Sequence, residues 1–500
     1  MKKTKVLLLL VLACFSTVLV NGQQTSAGKS FYVDYAQWCT LGYPGIYINC
    51  GNNTAFNTGN QLTMEVWLRA YTFGENRKVM GKMSDQLNSG YVLGFENLNP
   101  YSQVLNPDNQ EVPRTGVGSI PVDSAWVHFA TTFNSNGKMI NYINGVNVGE
   151  ITVFPQSPIA TNDRPFVIGL APWDLYSYEF TGNIDEVRIW NTEKSEFEIK
   201  SNMFHQLTGN EANLVAYYNF NTDVDSVVHD RGVNAIDGVL KNATSSAFSW
   251  ATSYAPVGDS IMAKKSDIQA SWYGKNPDQY TYAISTNGLS MITSIGHKEF
   301  WKYLLFGHNS GTGKTNANAP ATAPGDFERL SREWYVNKGG NFTSQVVFNF
   351  TDGAAGGTTL PSGPDSLYTL LVRDDTTQNF TAYLAATTVM GSTVLFNNVN
   401  LENKYYTLGY SSQRLAPTAS VKEEQMPATK IYPNPASNIL NISLLKSAEV
   451  KLIDIAGRVV YEQKAVTGKH TIQLNELSKG LYFVQLTYQN KIETQKIIIK

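Results

Sequence analysis

The segment Trp126–Gly149, WVHFATTFNSNGKMINYINGVNVG, contains two Asn-Gly pairs, Asn136-Gly137 and Asn144-Gly145. Asn and Gly tolerate the positive φ angles of the type I′ turn that joins adjacent antiparallel strands. The runs beside each pair are short and rich in β-branched and aromatic residues. The segment therefore predicts a three-stranded antiparallel meander with strands at His128–Phe133, Lys138–Ile143 and Val146–Ile151.

The sequence on either side has the same character. Leu62–Arg69 alternates apolar and polar residues, as a strand with one buried face does. Phe180–Asn191 predicts a turn and a strand, and Leu214–Phe220 a further strand. The segment Thr192–Ser201 predicts a short helix with its first residue as N-cap. Many strands and almost no helix predict a two-sheet antiparallel sandwich over Phe31–Tyr254.

These motifs also resemble a known family. In chain order they are YINCG from Tyr47, LTMEVWLRA from Leu62, the meander, FTGNIDEVRIWN from Phe180 and LVAYYNFN from Leu214. Together they look like a laminin-G-like, concanavalin-type jelly-roll domain. The resemblance implies the fold but not the function, because this fold hosts lectins, adhesion modules, spacers and glycosidases.

The C-terminal seventy residues carry a second set of motifs. They are YPNP from Tyr432, AGR from Ala456 and KGLYFV from Lys479, with strand-like runs at Ile439–Leu445, Val450–Asp454 and Val459–Glu462. The set resembles the type A C-terminal sorting domain of the type IX secretion system of Bacteroidetes. The resemblance implies a small β-sandwich over residues 430–500 and the secretion machinery as a partner.

The N-terminus is typical of a signal peptide. A basic segment, MKKTK, precedes the apolar run Val6–Val20, which is shorter than a typical transmembrane helix. We expect cleavage before Gln23, so that residues 1–22 are removed. No other segment is apolar enough to predict a transmembrane span. The two ends together predict a protein that passes through the periplasm and is secreted or held at the cell surface.

A central β-rich domain is predicted over residues 260–412. Its strand-like runs are Tyr303–Asn309, Arg329–Val336, Gln345–Phe350, Tyr368–Arg373 and Tyr405–Gly409. It is similar to an uncharacterised β-sandwich module of secreted flavobacterial proteins, which implies no chemistry. A polar stretch, residues 413–429, cannot bury a core and is predicted to be a mobile linker to the sorting domain.

Composition argues against nucleic acid and nucleotides as partners. Charged residues make up 16% of the 500 residues and the formal net charge is -2, so no basic excess is available for phosphate backbones. Gly311–Thr315 looks like part of a phosphate loop, but the required first Gly is missing at His308. Ala319-Pro320 and Pro324-Gly325 follow and oppose the helix that such a loop needs.

Catalytic motifs are not evident. A laminarinase-type jelly roll carries Glu-x-Asp-x-(x)-Glu on one strand, and no strand here has it. Glu193, Glu196 and Glu198 come closest, but they lie in the predicted helix and are typical of a solvated face. No Gly-x-Ser-x-Gly or His-Glu-x-x-His occurs. Carboxylates from separate loops could still meet in space, so a glycosidase remains the alternative to a non-enzymatic protein.

Asp185 is the best candidate for a metal ligand. Strand alternation places it with Val187 and Ile189 on the predicted core face, where an unpaired carboxylate is costly. In laminin-G-like and laminarinase-like jelly rolls, an Asp at this point often holds a structural Ca²⁺ together with carbonyls of the first loops. The resemblance therefore implies Ca²⁺ at Asp185, with Gly45 as a carbonyl donor. The alternative is that Asp185 accepts loop N–H bonds at the strand's start.

Two further sets of residues are candidates. Trp173, Tyr176 and Tyr178 cluster on the predicted loop 172–179, and Tyr101 lies on another predicted loop. Exposed aromatic rings can stack on sugars, or they can cap the sandwich core. Cys39 and Cys50 remain after removal of the signal peptide, and an oxidising compartment permits a disulfide between them. The alternative for Cys50 is a buried free thiol.

These observations predict an exported, multidomain, all-β protein. We expect its laminin-G-like domain to bind glycans or extracellular proteins, as an adhesion or binding module. A polysaccharide-processing glycosidase or accessory protein is the second hypothesis, and a structural surface protein without a small ligand is the third.

Overall fold

A computed structural model gives the structure of the protein. It describes residues 28–33, 45–71, 76–84, 89–97, 99–105, 111–112, 125–152, 158–174, 178–223, 225–243, 249–275, 281–295, 299–351, 364–415, 430–444, 447–454, 459–465, 467–475, 477–488 and 491–500. The predicted signal peptide, Cys39, Tyr176, the AGR turn and linker residues 416–429 lie outside these ranges. The chain forms two compact units, Met1–Ala416 and Pro417–Lys500.

The described residues of the first part of unit 1 form sixteen strands. They are β1 Lys29–Val33, β2 Tyr47–Asn49, β3 Gln61–Ala70, β4 Asn76–Ser84, β5 Ser89–Glu96, β6 Asn99–Leu105, β7 Glu111–Val112, β8 Val127–Asn134, β9 Lys138–Ile143, β10 Val146–Thr152, β11 Val167–Ile168, β12 Gly182–Trp190, β13 Leu214–Tyr218, β14 Val227–Val228, β15 Gly238–Lys241 and β16 Trp250–Thr252.

These strands form two antiparallel sheets. The first sheet has the order β10-β9-β8-β3-β12-β1-β16, with β13 also paired to β12, and the second has the order β14-β15-β2-β11-β4-β5-β6-β7. One core lies between them, with Ile48, Leu62, Leu93, Phe129 and Ile189 among its buried side chains. The predicted two-sheet sandwich is confirmed.

The predicted meander is confirmed as β8, β9 and β10, but one of its turns differs. Asn144 and Gly145 have φ angles of 52° and 74°, as a type I′ turn requires. Gly137 has no such positive φ. Its N–H donates to the Asn134 carbonyl at 3.0 Å, and the Asn134 side chain accepts from the Asn136 N–H at 3.0 Å. The longer connection from Asn134 to Lys138 closes as an ordinary β-turn, so a type I′ prediction there is wrong.

The predicted short helix starts later than expected. Helix α1 spans Glu196–Asn202, and its N-cap is Ser195 rather than Thr192. Ser195 and Glu198 form a reciprocal capping box, which satisfies two backbone donors at once. Thr192 is used elsewhere, because its carbonyl accepts a 2.7 Å hydrogen bond from the Thr63 hydroxyl.

In the second part of unit 1, the residues that the structure describes form thirteen strands. They are β17 Ser266–Trp272, β18 Thr281–Thr286, β19 Leu289–Ser294, β20 Tyr303–His308, β21 Lys314–Thr315, β22 Glu328–Leu330, β23 Trp334–Gly339, β24 Ser344–Asn349, β25 Tyr368–Arg373, β26 Thr381–Ala385, β27 Thr388–Met390, β28 Thr393–Val399 and β29 Tyr405–Tyr410. Short 3-10 turns also occur, at Thr54–Phe56, Met262–Lys264, Tyr273–Lys275 and Asp365–Leu367.

These strands again form two sheets around a core of their own. The third sheet has the order β17-β20-β23-β29-β22-β21, with β25 also paired to β29 and β26 paired to β25, and the fourth is β18-β19-β24-β28-β27. The predicted strand Arg329–Val336 is wrong as a single element, because it divides into β22 and β23. Glu333 at the break pairs with Arg329 at 3.1 Å and with Arg373. Lys314 lies on β21 and pairs with Glu328 at 2.7 Å, so it does not open a helix.

An apolar cluster joins the first and third sheets. Trp67 of β3 meets Trp272 of β17 edge to face, with ring centroids 5.7 Å apart, and Phe204 lies 5.6 Å from Trp272. The indole N–H of Trp272 donates to the Trp126 carbonyl at 2.9 Å. Buried aromatic contacts of this kind hold the two parts of unit 1 together.

Seven strands are formed by the described part of unit 2. They are β30 Lys430–Tyr432, β31 Ile439–Leu444, β32 Ala448–Asp454, β33 Val459–Ala465, β34 Gly468–Gln473, β35 Gly480–Tyr488 and β36 Lys491–Ile499. They form a three-stranded sheet, β30-β31-β34, and a four-stranded sheet, β33-β32-β35-β36, with a shared core. The predicted small β-sandwich is confirmed, although the sequence did not indicate β30 and β34 as strands.

Candidate functional site

Trp173 and Tyr101 lie on the face of the second sheet that is turned away from the first sheet. Along β5, Tyr91 and Leu93 enter the main core, whereas Val92 between them belongs to a separate cluster. Trp173 packs against that separate cluster, which consists of Met83, Val92, Tyr101 and Leu105. Trp173 therefore does not cap the core between the two sheets.

Trp173 and Tyr178 form a half-buried pair. Their ring centroids are 6.2 Å apart and their planes are inclined by 46°. The backbone carbonyl of Tyr178 accepts a 2.8 Å hydrogen bond from the Lys78 N–H, which ties this segment to β4. Tyr101, predicted on a loop, lies instead on β6 and is 4% exposed. Tyr176 lies outside the described residues.

Polar groups that the sequence reasoning missed lie beside this pair. The Lys78 ammonium is 3.9 Å from the ring centroid of Tyr101 and 5.9 Å from that of Tyr178, as in a cation–π contact. The Tyr101 hydroxyl donates to the side-chain carbonyl of Gln103. Tyr101 and Gln103 are two residues apart on one strand and therefore point to the same face.

Glu179 follows this pair directly and is buried. Its carboxylate accepts a hydrogen bond from the backbone of Gly45, and a Cβ on Gly45 would lie 1.9 Å from its Oε1. Burial raises the pKa of Glu179 to about 6, although Arg77 acts in the opposite direction. The Arg77 guanidinium also donates to the Glu179 carbonyl at 3.0 Å. A carboxyl group with such a pKa, near aromatic rings, is a candidate functional group.

Asp185 does not lie on the core face, so that expectation was wrong. The pairing of β12 with β3 shifts register between Asp185 and Arg188, and Glu186 has a φ of 53°. Because this β-bulge adds one residue to β12, the side chains that enter the core are those of Ile184, Val187 and Ile189. Asp185 pairs with Trp67 across the strands and shares its face.

The contacts of Asp185 and Gly45 are separate. The Asp185 carboxylate accepts hydrogen bonds from Ser253 Oγ at 2.6 Å and from the Glu186 N–H at 2.7 Å. Gly45 instead contacts Glu179, and its carbonyl accepts from the Asn242 amide at 2.9 Å. Among the described residues, no group of three or more His, Cys, Asp or Glu side chains could hold a metal ion. These contacts do not fit calcium held jointly by Asp185 and Gly45, and calcium binding stays a prediction.

A buried ionic network occupies the same outer face of the first sheet. Arg188 donates to Glu186 at 2.7 Å, and the Tyr217 hydroxyl donates to the same carboxylate at 2.8 Å. Glu65 accepts from the Trp190 indole at 2.8 Å and lies 3.4 Å from His128 Nε2. Burial raises the pKa of Glu186, and burial together with the Glu186 charge raises the pKa of Asp185. The network is fully enclosed, which indicates a structural role.

Cys50 is buried in the main core, 3% exposed. Burial raises the pKa of this thiol to about 12. Its predicted partner, Cys39, lies outside the described residues, so the disulfide stays a prediction.

Comparison with known families identifies three regions. Residues 42–200 match the concanavalin A-like lectin/glucanases superfamily, and residues 430–500 match the secretion system C-terminal sorting domain. Residues 276–405 match a domain family of unknown function. The chain carries a concanavalin A-like domain and a sorting domain. Both predicted resemblances are confirmed.

The sorting domain places the protein among exported proteins, secreted or displayed at the cell surface, and makes the secretion machinery its partner. Among the helices of the described residues, none has the length and apolar character needed to cross a membrane.

Individual relatives match over limited lengths. Ulvan lyase NLR42 of Nonlabens ulvanivorans is 30% identical over 86 residues, which are 16% of this chain and 16% of the lyase. A proposed carbohydrate-binding protein of Bacteroides ovatus is 21% identical, with a TM-score of 0.36 over 46% of this chain and 61% of its own. Domain 4 of AbnA, an arabinanase of Geobacillus stearothermophilus, is 25% identical, with a TM-score of 0.23 over 28% of this chain and 66% of its own. At these TM-scores the likeness supports no statement about function.

Proposed function

We propose that the protein is an exported glycan-binding protein, and that its concanavalin A-like domain binds saccharide at the Trp173–Tyr178 pair. The observation that carries the proposal is the position of this pair. Two half-buried rings, 6.2 Å apart, pack on the outside of a sheet and leave part of their surface exposed.

The chemistry of the surroundings supports a sugar as the ligand. A pyranose ring has an apolar face of C–H groups, which stacks on aromatic rings, and an edge of hydroxyl groups, which needs hydrogen-bonding partners. Ligand sites combine aromatic walls with a few placed polar groups in the same way. Lys78, Gln103 and Glu179 are polar groups within or next to the aromatic cluster, with 3%, 7% and 4% of their surfaces exposed.

A specific observation favours glycoside hydrolysis as the second candidate. Glu179 has a pKa of about 6, and Asp174 is close enough for its charge to raise that pKa. Glycosidases use a pair of carboxyl groups, one of which acts as an acid with a raised pKa. In this hypothesis Glu179 is the acid and Asp174 the second carboxylate.

A glycan array probed with the full chain tests the binding proposal. We expect binding to a defined set of saccharides, and loss of those signals in Trp173→Ala. Trp301→Ala is the matched control, because Trp301 is a 39% exposed tryptophan in the central domain that packs on Phe300. Equal array signals from Trp173→Ala and Trp301→Ala would contradict saccharide binding at the Trp173–Tyr178 pair.

The enzyme hypothesis has a separate readout. Incubation of the full chain with the array's polysaccharides should release reducing ends if Glu179 is a catalytic acid, and Glu179→Gln should abolish that release. Binding without any release of reducing ends supports the first candidate alone.

A further inference from the structure

A groove of about 840 Å³ lies between the two parts of unit 1. On one side it is lined by helix α1 and by the turn at Asn144. On the other it is lined by β17 and the 3-10 turn that follows it. The Asn144 amide donates to the Gly274 carbonyl at 3.2 Å, so the two sides are joined at one end of the groove. Its volume falls within the usual range of ligand sites, roughly 300–1,000 Å³.

The lining of the groove is positively charged. It contains Lys200, Lys265 and Lys275, against one carboxylate, Asp267. In the part of the chain that the structure describes, none of these three lysines forms a salt bridge. Lys275 donates to the Ala270 carbonyl at 2.9 Å, and the Lys265 ammonium is 4.7 Å from the ring centroid of Tyr405.

Lys200 and Lys275 lie close enough for the charge of Lys200 to act on Lys275, whereas Lys265 has the carboxylates of Glu333 and Asp259 near it. Burial and the nearby charge of Lys200 lower the pKa of Lys275, and burial lowers the pKa of Lys265. Bringing an anion into the groove would stabilise the charged form of each lysine, because an opposite charge favours ionisation. The groove therefore favours an anionic occupant over a neutral one.

Aromatic and other apolar groups complete the lining. Phe197 of α1 is 79% exposed, an unusual position for a large apolar side chain, and it stands at the groove. Trp272 and Phe204 form a firm wall, because their rings pack 5.6 Å apart and join the two parts of the unit. Aromatic surface next to ammonium groups matches a polymer whose sugar rings carry acidic substituents.

We propose that this groove binds an anionic polysaccharide, with Lys200 and Lys275 contacting its carboxylate or sulfate groups and Phe197 contacting its sugar rings. The proposal is independent of the Trp173–Tyr178 site. An extracellular polymer is the expected source of such a ligand, because the sorting domain takes the protein out of the cell.

Affinity electrophoresis of the full chain in gels containing dextran sulfate, polygalacturonate or neutral dextran tests this proposal. We expect retardation by at least one of the two anionic polymers and none by dextran. The two anionic polymers distinguish sulfate from carboxylate as the recognised group. The double variant Lys200→Gln, Lys275→Gln should weaken that binding about tenfold, because each lysine removed takes away one ionic contact.

The control is Lys138→Gln, since Lys138 is an exposed lysine on β9 that pairs with Glu150 away from the groove. Lys138→Gln should bind the anionic polymer as the unmodified protein does. Phe197→Ala should reduce binding without changing net charge.

Three results would overturn the proposal. They are no retardation by either anionic polymer at low salt, an equal effect of Lys138→Gln and the double variant, and equal binding of poly-glutamate with the same dependence on Lys200 and Lys275. The last result would assign the groove to acidic protein segments instead.

Discussion

Replacing Arg188 by methionine tests the buried ionic network most severely. The Arg188 guanidinium is fully buried and donates to Glu186 at 2.7 Å, to the Asn202 carbonyl at 3.0 Å and to the His205 carbonyl. Methionine keeps most of the apolar stem but removes all three hydrogen bonds and the positive charge. The carboxylates of Glu186 and Glu65 would then be buried without their cation.

The expected loss is large. Breaking a buried ion pair by removing one partner lowers the free energy of unfolding by about 3–5 kcal/mol, because the remaining charge stays buried. For a domain of this size, about 2–4 °C of melting temperature corresponds to 1 kcal/mol, so the melting temperature should fall by roughly 10 °C. Adding Glu186→Gln to Arg188→Met should restore part of the loss, since the double variant no longer buries that uncompensated carboxylate.

The pH dependence has a definite sign. The pKa values of Asp185 and Glu186 are raised in the folded protein, mainly by burial. As pH rises, the unfolded chain therefore loses these protons first, and the free energy of unfolding falls. Removal of the Arg188 charge raises both pKa values further, so the deficit of Arg188→Met should be larger at pH 7 than at pH 4.5.

Urea unfolding followed by tryptophan fluorescence measures these differences, because Trp67 and Trp190 are buried in contact with His128 and Glu65 of the network. The matched control is Arg414→Met. Arg414 is exposed, and its loss should change the free energy of unfolding by about 0.5 kcal/mol or less. Equal effects of the two variants would refute the reasoning.

The other predictions concern Glu179, Cys50 and calcium. Glu179 has a folded pKa of about 6, above its ordinary value of 4.5, so its contribution to the free energy of unfolding falls as pH rises between these values. Between pH 4 and 7 the free energy of unfolding of Glu179→Gln should fall by up to about 2 kcal/mol less than that of the unmodified protein. Urea titrations in which both proteins show the same pH dependence would contradict this. Burial and a pKa of about 12 should leave the Cys50 thiol unreactive towards a thiol reagent at pH 8 until urea is added. If the mature chain has no reactive thiol in urea when reductant is absent, that result would instead support the Cys39–Cys50 disulfide. If Asp185 binds calcium, adding a chelator should lower the melting temperature. An unchanged melting temperature would contradict calcium binding at Asp185.

Much of the fold could be predicted from local pattern alone. The strand Lys138–Ile143 has the predicted bounds, because a turn signal stands on each side of it. The strand Tyr368–Arg373 also has the predicted bounds. Alternation identified β3, whose buried Leu62, Met64 and Val66 all enter the core. The predicted single buried face is wrong, because Thr63, Glu65 and Trp67 on the other face are buried as well.

Irregularities of the backbone could not be predicted in this way. The bulge on β12 places Glu186 at a positive φ, although glutamate carries no signal for that conformation. The bulge therefore places the Asp185 side chain on the face of the sheet opposite to the predicted one. Likewise, no local sequence pattern indicates that Glu333 forms ion pairs with both Arg329 and Arg373. The strand predicted from Arg329 to Val336 divides at this residue.

The candidate site could be predicted only in part, because its members are far apart in the chain. Trp173 and Tyr178 are aromatic residues close together in sequence, so composition pointed to them. Lys78 reaches them only through the pairing of β4 with its neighbours, and no local pattern connects residue 78 with residue 178. The contact between Gly45 and Glu179 depends on the folded second sheet in the same way.

The affinity of the Trp173→Ala variant for an array-identified saccharide, measured by titration calorimetry on the full chain, tests the central claim most directly. The account predicts at least a tenfold rise in Kd, about 1.4 kcal/mol, with less than a twofold change for Trp301→Ala. Equal Kd values for the two variants, with enthalpies unchanged from the unmodified protein, would contradict the claim that the Trp173–Tyr178 pair binds sugar.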